Sequence, residues 1–229
     1  MDKYEIIRRI EKFAPPENAE HWDCSGWIVE TAKNDIKKIM LALTVTEDVI
    51  HQAKEADCDM VISHHPLFVV PFNYSNIDIY SAHTNLDLAP GGTTDTLIEY
   101  LGLKADLADG FLRYVNFTTD INEFILKLKT VSKNIRLTNN KNIKILNKIA
   151  FCAGSGSEFI EKAYKNGADA LVTGDIKFHT ALDSSVVLFD IGHFESEIQV
   201  LKVFEQLIGD DVQIVYAKEK SPFTYLSDK

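Results

Sequence analysis

The sequence contains no apolar run approaching the roughly 18 residues of a membrane-spanning helix, so no membrane segment is expected. Cysteine is scarce: Cys24, Cys58 and Cys152 are odd in number, widely spaced and form no C-x-x-C pair. That argues against a disulfide framework or a thiolate zinc site and suits a reducing cytoplasm. Positive charge is in deficit, 24 Lys+Arg against 34 Asp+Glu, leaving a formal net charge of −10 at pH 7. A surface built throughout for nucleic acid or anionic lipid is thereby disfavoured, and cations become the natural partners. The first residues lack the basic and apolar regions of a secretory signal. There is no Gly/Ser linker or low-complexity tract, and no G-x-S-x-G nucleophile elbow. Gly154-Ser155-Gly156-Ser157 lacks the lysine of a P-loop and reads either as a phosphate cradle or, more simply, as a helix cap.

What the 229 residues do contain is a pattern that returns. Ile6, Ile7, Ile10 and Phe13 have helical spacing, ended by Pro15-Pro16. Lys38–Val45 reads as a buried strand, Thr46-Glu47-Asp48 as a helix start with Val49, Ile50, Ala53 and Ala56 on one face, and Met60–Ile62 as the next strand. This β-α-β unit implies a parallel pair. It recurs 110 residues later: Lys38-Ile39 with Lys148-Ile149, Ile50 with Ile160, Ala53 with Ala163, Asp59 with Asp169, Ser63 with Thr173. The same offset pairs His83 with His193 and Asp87 with Glu197. The chain therefore reads as two related α/β halves, residues 1–108 and 109–229, with exchange of the C-terminal segment between them allowed. Further strands are predicted at Ile77–Thr84, Ser185–Ile191 and Asp211–Ala217, and helices near Thr94–Leu101, Ile121–Val131 and Ser196–Ile208.

Ligands of open α/β sheets bind beyond the carboxyl ends of parallel strands, and four polar groups fall there. Ser63-His64-His65-Pro66 follows the strand Met60–Ile62. Adjacent residues of an extended chain point opposite ways, so the two imidazoles serve two neighbouring ions, or one ion if the strand bends, or act as hydrogen-bonding caps. His83-Thr84-Asn85-Leu86-Asp87 and His193-Phe194-Glu195-Ser196-Glu197 each place an acid four residues beyond a strand-end histidine. In the latter, Ser196 reads as a helix cap and Glu197 as a first-turn acid favoured by the helix dipole. Thr173-Gly174-Asp175-Ile176-Lys177-Phe178-His179 is the second half's counterpart of the His64-His65 turn. His64, His65, Asp87, His193 and Glu197 together offer three imidazoles and two carboxylates, a set suited to Zn, Mn, Fe or Ni. Five ligands exceed what one catalytic ion takes, so two divalent cations sharing a carboxylate are expected. His179 and Glu195 are the candidate proton carriers.

These motifs, with Pro15-Pro16 and Trp22-Asp23-Cys24-Ser25-Gly26 near the start, resemble the Nif-three-like family, also called the GTP cyclohydrolase I type 2 family, over nearly the whole chain. The resemblance implies two similar, intertwined α/β/α lobes with mixed sheets and a two-ion site in the cleft between them. It further implies that Glu197 bridges the ions, that the protein forms a toroidal homohexamer, and that the substrate is a nucleotide such as GTP or a similar anionic small molecule. Two positions depart from the family pattern: Cys24 stands where Asn is usual, and Thr44 where Asp is frequent. The alternative reading is a metal-binding regulatory or nucleic-acid-binding protein. Lys127–Lys148, with seven basic residues and no acid, would be its contact surface.

Overall fold

The computed structural model describes residues 1–225, and these fall into two compact units. Residues 1–92 with 200–220 form the first; residues 93–199 with 221–225 form the second. Each is built on a mixed sheet. Among the described residues no helix is long and apolar enough to cross a membrane.

In the first unit, β2 (Lys38–Thr44), β3 (Met60–His65), β4 (Asp78–Ser81) and β11 (Gln213–Tyr216) are parallel, and β1 (Gly26–Val29) pairs antiparallel with β4. The spatial order is β1-β4-β3-β2-β11. Alternation along the buried strands sends Met40, Ala42, Val61 and Ile79 to the face covered by Val49, Ile50 and Ala53 of the helix Glu47–Glu55. That helix starts where Thr46 accepts the Val49 amide through its side chain. The helices Lys3–Phe13 and Leu201–Ile208 pack on each other, and the latter lies against β2 and β3.

In the second unit, β8 (Ile145–Phe151), β9 (Ala170–Thr173) and β10 (Val187–Asp190) are parallel. β5 (Leu107–Asp109), β6 (Leu112–Asp120) and β7 (Arg136–Thr138) complete the sheet antiparallel, in the order β5-β6-β8-β9-β10-β7. Ile149, Phe151, Val172 and Phe189 face the helices Thr93–Tyr100 and Ile121–Leu128, while Ala150, Leu171 and Leu188 face the helix Ile160–Lys165. The unit is thus helix, sheet, helix. The helix Thr93–Tyr100 precedes residue 109 and β5 runs across it, yet both pack with the second sheet, and β11 follows it yet hydrogen-bonds to β2. Packing partners, which lie far apart in the chain, set the division at Gly92/Thr93 and return residues 200–220 to the first unit.

The internal repeat is visible bond by bond. The Asp59 carboxylate accepts the Lys37 and Lys38 amides at 2.7 and 3.1 Å, and Asp169 accepts those of Asn147 and Lys148 at the same distances. Lys38 Nζ donates to the Ala56 carbonyl and Lys148 Nζ to that of Asn166, both at 2.7 Å. The 110-residue offset does not extend to the last strand of the repeat, however. Ser63 pairs with Ser81 but Thr173 with Asp190, so from β4 and β10 onward the true offset is 109. His83 therefore corresponds to Gly192, and the match of His83 with His193 is not structural.

Candidate functional site

The five candidate ligands divide between the units: His64, His65 and Asp87 in the first, His193 and Glu197 in the second.

In the first unit β3 continues through His65. Strict alternation would send the two rings apart, yet their centroids are 4.9 Å from each other. The Ser63 and Ser81 hydroxyls both donate to the His65 carbonyl, at 3.0 and 3.4 Å, which turns the strand end. His64 is fully buried; its Nδ1 meets the Ala82 carbonyl at 3.0 Å and its Nε2 lies 3.4 Å from Asp87 Oδ1. A carbonyl only accepts, so Nδ1 carries the proton and Nε2 the lone pair. His65 Nδ1 lies 2.6 Å from Thr44 Oγ1.

A third imidazole joins them. His83, at the end of β4, sits edge-on to His64 and His65, at centroid distances of 5.2 and 5.4 Å. The ligand nitrogens of His64, His65 and His83 all lie within 4.8 Å of one another. His83 Nδ1 meets Asp23 Oδ1 at 3.0 Å. Asp23 also accepts from Ser25 Oγ (2.7 Å), Thr84 Oγ1 (2.6 Å) and the Cys24 and Thr84 amides. Its burial opposes the charge, but the bonds from Thr84, His83 and Ser25 hold the carboxyl well below the usual carboxylate range. Reasoning from sequence recognised the strand-end position of His83 but not its place beside the ligands. Asp23, 60 residues away, had no local signal beyond its motif.

In the second unit the ends of β8, β9 and β10 converge. Gly192, with φ +90°, turns the chain out of β10, and the helix begins at His193. Ser196 is therefore not the cap expected from sequence. Its hydroxyl donates to the His193 carbonyl (2.7 Å) and accepts the Gly154 amide (2.8 Å). His193 lies between two carboxylates, Nδ1 at 2.7 Å from Asp175 Oδ2 and Nε2 at 3.0 Å from Glu197 Oε2. The 154–157 loop neither caps through a serine nor presents its glycine amides to a ligand. The Gly154 and Gly156 amides are taken by Ser196 and Thr173, and the helical turn after the loop has no side-chain cap. Gly154, at φ +68°, is instead the floor of a cradle, since a Cβ there would collide with the Glu197 carboxylate and approach His193 Nε2 to 3.5 Å. His179 is exposed, its ring packed edge-on to Phe178 at 5.2 Å. Glu195 is half-buried, with its carboxylate folded over Gly192.

Burial lowers the basicity of His193, but Glu197 and then Asp175 outweigh it and raise the pKa to about 9. A raised folded-state pKa adds stability in full below the ordinary value of about 6.5, and that stability is lost as pH rises through about 9. In the presence of chelator, wild type should therefore lose its thermal-stability advantage over His193→Gln between pH 6.5 and 9. Equal pH slopes for the two proteins would contradict the pairing.

The donors fit a divalent cation. Imidazole and carboxylate together suit borderline metals, and metal-binding histidines typically engage the second ring nitrogen with a protein oxygen. His64, His65, His83 and His193 all do so through Nδ1.

The Duf34/NIF3 (NGG1p interacting factor 3) family profile matches residues 1–222. A Clostridium perfringens protein named GTP cyclohydrolase 1 type 2 homolog is 34% identical over 263 aligned positions, covering 99% of this chain and 100% of that protein. One from Campylobacter jejuni with the same name is 32% identical, covering 98% and 100%. Among solved structures, reduced HcgD from Methanocaldococcus jannaschii is similar with a TM-score of 0.83 at 28% identity, over 96% of this chain and 98% of that one. A Bacillus cereus protein related to NIF3 gives 0.83 at 19% identity over 99% of each chain, a likeness of fold alone.

Proposed function

This chain belongs to the Duf34/NIF3 family, and on that premise we propose that it is a metal-dependent hydrolase acting on a nucleotide such as GTP or a similar anionic small molecule. In this reading His64, His65, Asp87, His193 and Glu197 hold two divalent cations, with Glu197 shared. One observation carries it: in each unit a strand-end histidine presents Nε2 to a carboxylate while a protein acceptor engages its Nδ1. The cations would supply water of near-neutral pKa and positive charge for an anionic substrate.

The chain's own residues do the rest. Ala82 and Asp175 orient His64 and His193, and Asp23 orients His83 beside the ligands. His179 and Glu195 remain the candidate proton carriers of this proposal, as does assembly into a toroidal homohexamer in the cytoplasm. The nucleic-acid alternative has little to draw on. Lys127, Lys141 and Lys148 donate to the carbonyls of Leu101, Ser185 and Asn166, and Arg136 pairs with Asp190, so four of the seven basic residues of that stretch tie down their own unit.

The test is to strip the protein of metal, reload it with Mn, Zn, Fe or Ni, and follow GTP breakdown. Turnover restored by at least one metal and lost in Glu197→Gln is the expected result. Confirmed metal binding without turnover on GTP or related nucleotides would remove the hydrolase reading. A monomeric mass in analytical ultracentrifugation would remove the hexamer.

A further inference from the structure

The four imidazoles differ in what holds their Nδ1. His64 faces a backbone carbonyl, and His83 and His193 face carboxylates. Each partner only accepts, so it holds a proton on Nδ1, and in the neutral ring Nε2 is then the donor atom for a ligand. His65 alone among them faces a hydroxyl, Thr44 Oγ1, at 2.6 Å. A hydroxyl both donates and accepts. When Thr44 accepts, His65 carries its proton on Nδ1 and offers the Nε2 lone pair. When Thr44 donates, the proton sits on Nε2 and blocks that atom.

The hydroxyl is held in place for this role. Thr44 ends β2 in direct register with His65 on β3. The Glu219 carboxylate accepts the Leu43 and Thr44 amides together, at 2.6 and 3.0 Å. The segment carrying Glu219 is itself pinned, because Ala217 N donates to the Leu41 carbonyl (2.9 Å) and Lys218 N to Gln52 Oε1 (2.8 Å). All of these residues belong to the first unit.

We propose that Thr44 is a positioning residue that holds the His65 ring through Nδ1 while leaving both tautomers open, and so makes His65 the tunable ligand of the metal site. The inference rests on the metal-binding reading above. An outer partner that favours the ligating tautomer strengthens a site about 10–100-fold; a two-way hydroxyl forgoes part of that gain.

The experiment uses the full-length protein and Thr44→Val, Thr44→Ser and Thr44→Asp, each checked for folding by circular dichroism. Zn affinity is read by competition with a chromogenic chelator, and ligand geometry by the visible spectrum of the Co-loaded protein. The His65 tautomer is read in metal-free protein from imidazole nitrogen shifts. Expected are about tenfold weaker Zn binding and an altered Co spectrum for Thr44→Val, near wild-type behaviour for Thr44→Ser, and about tenfold tighter binding with the Nδ1-protonated tautomer for Thr44→Asp. Wild-type affinity in folded Thr44→Val, or an equal loss in Thr44→Ser, would overturn the proposal. So would a His65 tautomer indifferent to residue 44. Wild-type protein that binds no metal at all would instead sink the metal-binding reading, and this inference with it.

Discussion

Gly154→Ala is expected to weaken metal binding by about 100-fold while leaving the protein folded. Two costs meet at this position. The backbone has φ +68°, where an Ala costs about 1–2 kcal/mol. The new Cβ would also occupy the space of Glu197 Oε1, come within 3.2 Å of its Cδ and approach His193 Nε2 to 3.5 Å. Glu197 is buried, with 3% of its surface exposed, and Ser196 is anchored to the Gly154 amide, so the carboxylate has little room to retreat. Moving it separates the two second-unit ligands, which now sit 3.0 Å apart. Gly167→Ala is the matched control, because Gly167 has φ +77° and open space around its Cβ position. It should cost similar backbone strain and leave Zn affinity unchanged. Chelator competition on the two variants separates strain from collision. Equal affinities would mean that Gly154 serves only the turn.

Lys3→Met is expected to cost about 3–5 kcal/mol of folding stability, measured by urea unfolding. Lys3 lies in the first turn of the helix Lys3–Phe13, a position that usually faces solvent, yet it is fully buried. Its ammonium donates to the Thr31 carbonyl at 2.6 Å, lies 3.6 Å from carboxylate oxygens of Asp78 and Glu30, and sits 5.0 Å from the Trp27 ring centroid. Asp78 is equally buried and opens β4, the strand that ends at Ser81, two residues before His83. Methionine would match the stem of the lysine but leave the Asp78 carboxylate in the interior without its cation. The penalty is that of an uncompensated buried charge, so the double variant Lys3→Met/Asp78→Asn should recover most of it. If the single variant unfolds at the wild-type urea midpoint, the pair contributes no stability and the burial of Lys3 has another cause.

The two positions mark where reading the chain residue by residue succeeds and where it stops. Strands at Lys38–Val45 and Met60–Ile62, the helix between them and their recurrence at Lys148 were legible because each depends on apolar alternation and capping within a few residues. The placement of the candidate residues was legible for a related reason: His64 lies near the end of β3, and Asp87, His193 and Glu197 lie in the short helices that follow β4 and β10, the side of an α/β sheet where ligands bind. The helix start after β10 was misplaced, because the positive φ of Gly192 places the first turn at His193 rather than after Ser196. The repeat was carried one residue too far, because only strand pairing reveals that Thr173 faces Asp190.

By itself, then, the sequence determined the two-fold α/β plan, the family and the residue types at the strand ends, all of which follow from local periodicity and short motifs. Only the tertiary structure decided which oxygen holds each imidazole: Ala82 for His64, Thr44 for His65, Asp23 for His83 and Asp175 for His193. It alone showed that Gly154 must lack a side chain and that Lys3 is interior. Those facts depend on groups distant in the chain becoming neighbours in space. Burial and hydrogen bonding then set the proton positions, and spacing along the chain carries no trace of them.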